Sequence, residues 1–197
     1  MSRENVETVW QAMSVTPAPR RRPEERLGVR FPRLLALFTR AWLTLPPRSR
    51  LRRALMHRTV RVGIEAANRQ DYEAAFGLFD PAVELLVPPD LAALGFEPTV
   101  RGRDERIRFE VKWRAEWGEV WYAPEELSDL GSRVLVVGRI RGSGPASGAA
   151  FDNEWADLFT FSAGRVVREQ VFLDHTEALD AVRSSRPRES SGPQRTP

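Results

Sequence analysis

The stretch FDNEWADLFTFSAGRVVREQVFLD, residues 151–174, reads as two strands joined by a tight turn. Alternation puts Phe151, Asn153, Trp155, Asp157, Phe159 and Phe161 on one face, and Asp152, Glu154, Ala156, Leu158 and Thr160 on the other. The first face is the core-facing one, yet Asp157 lies in it. Ser162-Ala163-Gly164 suits a three-residue hairpin loop with Gly164 at the left-handed position. Such a loop pairs Phe161 with Arg165, Phe159 with Val167, Asp157 with Glu169, and Trp155 with Val171. A slip of one residue would place Arg168 and Gln170 among the aromatics. The reading therefore predicts Asp157 facing Glu169 across the ladder, with Cβ atoms roughly 4.5–5.5 Å apart, in an apolar surround.

Outward from the hairpin, strands are expected near residues 119–128 and 133–141, and a last helix over Thr176–Val182. Upstream, helices are expected over Leu51–Arg69, Asp71–Phe79 and Arg103–Trp117, with a strand over Val83–Val87 and irregular chain over 90–102. Helices, a strand, another helix and then a four-strand meander predict an α+β layer, a curved antiparallel sheet packed against helices with a cavity in its concave face. This domain spans 49–183. Residues 1–48 form an N-terminal extension and 184–197 a polar, Pro-rich tail expected to be disordered. The extension reads as a short helix over Ser2–Met13, a Pro/Arg-rich linker over 14–32, and an amphipathic helix ended by Pro46-Pro47. Leu34, Leu37, Phe38, Ala41, Trp42 and Leu45 make the apolar stripe of that helix. Packing of the stripe on its own domain or on a second subunit is preferred to a membrane surface, which would select the same pattern.

Composition narrows the chemistry. The 197 residues contain no cysteine, so disulfides and thiolate catalysis are excluded. Only His57 and His175 are present, far apart in the chain, and neither a metal site nor a cofactor is expected. Residues 1–70 carry fifteen Arg and five Glu, whereas the whole chain is only +3. One Lys, Lys112, among thirty basic residues points to the codon usage of a GC-rich bacterial genome. The basic arm is read as an Arg-rich linker and not as a nucleic-acid contact. With no spanning apolar run and no secretory leader pattern, the chain reads as cytoplasmic.

Three segments carry a family resemblance: IEAANRQDYEAAFGLFDPAVEL (Ile64–Leu85), VRGRDERIRF (Val100–Phe109), and the pair LSDLGSRVLVVGRIRGSG and DLFTFSAGRVVREQVFLDHTEAL. Over about residues 60–183 the chain resembles the SnoaL-like branch of the NTF2-like superfamily. The resemblance implies a cone-shaped α+β fold with an apolar pocket, frequently a homodimer packed through its sheet. Its members include polyketide cyclases, ketosteroid isomerase-like enzymes, epoxide hydrolases and dehydratases, together with domains of no known activity. Where the cyclases carry an acid on the final strand this chain has Val171. Where the epoxide hydrolase branch has Arg-x-Asp it has Trp155-x-Asp157, and no histidine falls on a pocket strand.

The residues themselves support three readings. In one, a small hydrophobic molecule sits in an aromatic pocket contacted by Trp113, Trp117, Tyr122, Trp155, Phe159 and Val171, with Phe109 and Phe161 as further walls. In another, Asp157 and Glu169 act as general acid and base in an isomerase, dehydratase or cyclase, because two close desolvated carboxylates cannot both ionise. An arginine such as Arg139 or Arg141 would instead neutralise the pair structurally. In the third, the domain is a non-catalytic dimerising module. Asp174 is expected to cap the last helix, and Glu126 and Asp129 to serve turns and cross-strand pairing.

Overall fold

A computed structural model describes residues 21–144 and 148–184. The expected Ser2–Met13 helix and the tail from residue 185 onward lie outside the described residues. The element order is α1 (Pro23–Arg30), α2 (Pro32–Leu43), α3 (Arg50–Asn68), α4 (Tyr72–Ala75), β1 (Phe79–Leu86), α5 (Pro89–Ala93), β2 (Thr99–Arg101), α6 (Arg103–Trp117), β3 (Glu119–Asp129), β4 (Arg133–Ser143), β5 (Ala150–Ser162), β6 (Arg165–Phe172) and α7 (His175–Ser184). The strands form one six-stranded sheet in the order β2-β1-β6-β5-β4-β3. The α+β architecture is as expected, with one difference: β1 runs parallel to β6, so the sheet is mixed.

Alternation along β4 and β5 sorts the core into two layers. Val134, Val136, Ile140, Trp155 and Phe161 face the main core with α3 and α6. Leu135, Ala156, Leu158 and Phe172 pack on the other face beneath Ala178 and Val182 of α7. Strand β5 is thus covered on both sides at its centre, which is why Trp155–Leu158 reads as a continuous buried run. Gly138 has a steric task here: a Cβ on it would collide with the Ala123 backbone beside the β3 bulge between Pro124 and Glu126. Asp174 caps α7 as expected, its Oδ1 accepting from the backbone N–H groups of Thr176 (2.6 Å) and Glu177 (3.1 Å).

The hairpin corrects the predicted register. Its turn has two residues, Ala163 (φ 50°) and Gly164 (φ 81°), so Ser162 pairs with Arg165 and Phe161 with Val166. That shortening alone would send the rest of β6 to the opposite face. Val167 then bulges, and pairing resumes at Thr160 with Arg168. The two offsets add to two residues, so from Arg168 onward every side chain keeps its face while every partner changes; ahead of the bulge Arg165 and Val166 exchange faces, and Val166 joins the main core. Asp157 now opposes Val171, and Glu169 opposes Phe159. The two carboxylates share the buried face as diagonal neighbours, and the expected direct opposition is overturned.

The extension also departs from expectation. Residues 23–30, read as linker, are helical because Pro23 occupies the first turn and Glu24 and Glu25 sit at the positive end of the helix dipole. Glu25 also accepts from the Arg22 backbone N–H at 2.6 Å. Residues 90–102, read as irregular, contain α5 and β2. Helix α2 forms where expected but is rotated relative to the predicted stripe. Ala36, Thr39 and Trp42 are buried, while Leu34, Leu37, Phe38 and Ala41 face outward.

Polar contacts seat this helical pair on the domain. Buried Arg52 donates to both Asp129 oxygens (2.7 and 2.8 Å), to the Leu43 and Leu45 carbonyls at the end of α2, and to the Gly131 carbonyl. Arg21 pairs with Asp71 at 2.6 Å, and Glu25 with Arg69 at 2.6 Å. At the hairpin tip, Gly164 lies so close to α2 that a Cβ would collide with the Ala36 carbonyl oxygen. Gly164→Ala combines that collision with an unfavourable positive φ, so it should cost more than about 1 kcal/mol in urea unfolding and quicken proteolysis within residues 23–43. An unchanged midpoint and cleavage pattern would show that α2 is not held by this contact.

Candidate functional site

Helix α6 presents two stripes at i, i+4, i+8. One is Phe109, Trp113 and Trp117; the other is Arg106, Glu110 and Arg114, and all three of these charged residues are buried. Arg106 donates to both oxygens of Glu169 (2.5 and 2.9 Å) and to Glu110 at 3.1 Å. Its guanidinium also lies 4.6 Å from the centre of the Phe76 ring. Arg114 donates to Glu110 at 3.0 Å and to the carbonyls of Val120 (2.7 Å) and Ala67 (3.0 Å). Tyr122 donates its phenol to Glu110 at 2.9 Å. Tyr122 is placed by Asn68, whose side-chain amide bonds the Tyr122 backbone through both its donor and its acceptor (2.9 and 2.8 Å).

This network borders a cavity of about 470 Å³. Trp113, Tyr122, Trp155, Phe159 and Val171 line it, as do Asp157 and Glu169. Trp117 is not part of the lining. It packs at a tilt on Trp113 (5.2 Å between ring centres) and edge-on against Phe151 (5.9 Å), and so it extends the aromatic wall from behind. Phe109 and Phe161 also border the cavity. Arg139 and Arg141, the expected neutralising groups, pair with Asp152 on the outer surface instead.

Charge counting separates the two carboxylates. Two buried arginines meet two buried glutamates, and Asp157 is left without a cation of its own. It is 6% exposed, and its Oδ1 has no hydrogen-bond partner. Burial first, and then the neighbouring Glu169 charge, push the Asp157 carboxyl well above the usual carboxylate range; Arg106 and a hydrogen bond with the Trp155 side chain oppose the shift. Asp157 is thus biased towards its protonated form, in which it can donate a hydrogen bond into the cavity. Glu169 has both oxygens committed to Arg106. Burial and the Glu110 charge likewise raise the Tyr122 phenol well above its ordinary value, so it stays a donor.

The R-x3-E-x3-R spacing of α6 was the available signal for Arg106, Glu110 and Arg114. The same spacing is common on solvated helix faces, where such pairs add little. Among the described residues no group of acidic and histidine side chains could hold a metal ion.

A model of the SnoaL-like domain matches residues 60–169. No curated protein matches the chain significantly. Among solved structures, an NTF2-like protein of unknown function from Burkholderia pseudomallei K96243 is 26% identical, with a TM-score of 0.56 over 64% of this chain and 95% of that one. TerC, co-crystallised with polyporic acid, is 20% identical (TM-score 0.55; 64% and 97% covered). A protein of ketosteroid isomerase-like fold from Catenulispora acidiphila DSM 44928, in complex with trimethylamine, is 16% identical (TM-score 0.51; 62% and 89% covered). With the last two the likeness is one of fold.

Two outcomes follow from the site. Arg106→Met leaves Glu169 and Glu110 buried beside a lost cation and should destabilise the fold by about 3–5 kcal/mol in denaturant titration. A loss below about 1 kcal/mol would mean that water replaces the pair. Asp157, with its raised pKa, keeps its proton in the folded chain where the unfolded chain has lost it. Stability therefore falls as pH rises from about 4 towards the raised value. Asp157→Asn does not titrate, so its stability relative to the native chain should improve as pH rises above about 4. A gap that does not change with pH would show an ordinary carboxyl at position 157.

Proposed function

Because the chain belongs to the SnoaL-like domain family, we propose that its cavity binds a small apolar molecule bearing a hydrogen-bond acceptor. The observation that carries the reading is the unpartnered Oδ1 of buried Asp157 in an aromatic wall. An enclosed polar atom without a partner costs free energy that a ligand acceptor would recover. Trp113 Nε1, also on the lining residues, is unpartnered as well. Trp155, Tyr122 and Phe159 supply flat apolar area suited to a ring system.

One observation favours a catalytic variant of this reading. Asp157 is buried at the cavity wall and its carboxyl is pushed well above the usual carboxylate range, the direction that a general acid in an isomerase, dehydratase or cyclase requires. Arg106 occupies both oxygens of Glu169, so the base in such a reaction would have to displace an ion pair or come from the ligand.

Native mass spectrometry and thermal shift against aromatic ketones and their parent hydrocarbons separate these cases. Ketones should bind about tenfold more tightly than the hydrocarbons. Asp157→Asn, whose amide still donates, should keep that preference, and Asp157→Leu should erase it. Equal binding of both compound classes to the native chain would refute the donor role, and no binding by any member would refute the reading. Turnover of a bound ketone that Asp157→Asn abolishes would establish the catalytic variant.

A further inference from the structure

We propose that the α1–α2 pair is a docking surface for an anionic lipid bilayer. Leu27, Phe31, Leu34, Leu37 and Phe38 are 44–62% exposed within twelve residues of chain, a concentration found nowhere else among the described residues. On α2, Leu34, Leu37, Phe38 and Ala41 follow i, i+3, i+4, i+7 and form a continuous outward ridge. Apart from the edge of Phe38 that borders the cavity, the fold leaves this ridge uncovered, because α2 is seated by Ala36, Thr39 and Trp42 on its opposite side.

Charge selects the occupant. Between Arg21 and Arg53 there are ten arginines and two glutamates. Both glutamates are spent on the domain, Glu24 on Arg58 at 2.9 Å and Glu25 on Arg69 at 2.6 Å. Arg26, Arg30, Arg33 and Arg40 on the two helices are exposed and have no ion pair among the described residues. An apolar ridge rimmed by free guanidinium groups matches lipid headgroups outside and acyl chains beneath. A second copy fits less well, since a two-fold contact through the same ridge would oppose arginine rims of like charge. No described helix is long and apolar enough to cross a membrane, so the ridge would lie in the interface plane. Gly28, Val29, Leu35 and Phe38 of the same helices border the cavity, so docking would bring its rim to the lipid surface. That last link rests on the ligand-binding reading, whereas the docking itself does not.

The test is sedimentation of the full chain with vesicles of phosphatidylcholine alone or with 30 mole per cent phosphatidylglycerol, a composition of about one anionic lipid in three. Binding is expected only to the anionic vesicles and should fall steeply with added salt. Arg33→Gln with Arg40→Gln should weaken it roughly thirtyfold. Leu34→Ser with Leu37→Ser should weaken it by more than about tenfold without changing the thermal midpoint, because neither side chain is in the core or the cavity lining. Equal binding to both vesicle types, no binding to either, or a dimer in analytical ultracentrifugation that the leucine variant dissociates would each overturn the proposal. Loss of ligand binding in the ketone assay with vesicle binding intact would refute the cavity reading alone.

Discussion

The buried guanidinium of Arg106 is the constraint on which the site depends. It joins α6 to β6 through two hydrogen bonds to Glu169 and continues to Glu110, which also takes Arg114 and the Tyr122 phenol. Moving such ions out of water costs several kcal/mol each, and their mutual attraction repays this only when the geometry is good. The network therefore adds little net stability compared with well-packed apolar side chains. What it does is fix distance and direction, because a planar guanidinium bonded along two edges tolerates little sliding between helix and sheet. The aromatic wall carried by the same helix is positioned by that clamp.

The same balance of charges defines the chemistry available in the cavity. Arg106 and Arg114 offset Glu169 and Glu110, and any further buried carboxylate would be unbalanced. Asp157 meets that condition by its bias towards the protonated form. The cavity thus presents apolar walls, a closed ionic floor and a single carboxyl with an oxygen to spare. A charged ligand would have to break the floor or remain unpaired, and a neutral ligand with an acceptor would not.

Much of this arrangement is legible in the amino-acid sequence, and the failures have definite physical causes. Helix α6 and the four meander strands lie where the sequence pattern puts them, because long elements bounded by turn signals repeat their pattern several times. The faces of Asp157 and Glu169 were also readable, since side-chain parity survives any even shift. Their pairing was not. A two-residue turn with Ala163 at positive φ and a bulge at Val167 each move the register by one, and neither leaves a mark in the alternation. Arg106 was missed because i, i+4 charges look alike whether they face water or core. Only burial separates them, and here Arg106 is covered by Phe76 and by Glu169, the latter more than sixty positions away.

The rotation of α2 has a related origin. Amphipathic patterns identify a face, and the inference that the apolar face points inward assumes that apolar burial holds the helix in place. Here Trp42 supplies the apolar burial, and the other contacts that seat the helical pair are of another kind: the Arg52 bonds to the carbonyls of Leu43 and Leu45, the Glu25–Arg69 pair of α1, and the close backbone approach at Gly164. Close approach requires small residues at the contact: Gly164 meets the backbone of Ala36 and Arg40, and Ala36 and Thr39 are the small buried residues of this face. Large side chains are then left on the outer side, where Leu34, Leu37 and Phe38 form a ridge that the domain itself does not cover. Backbone and ion-pair anchoring thus frees the apolar face of the helix for a contact beyond the fold.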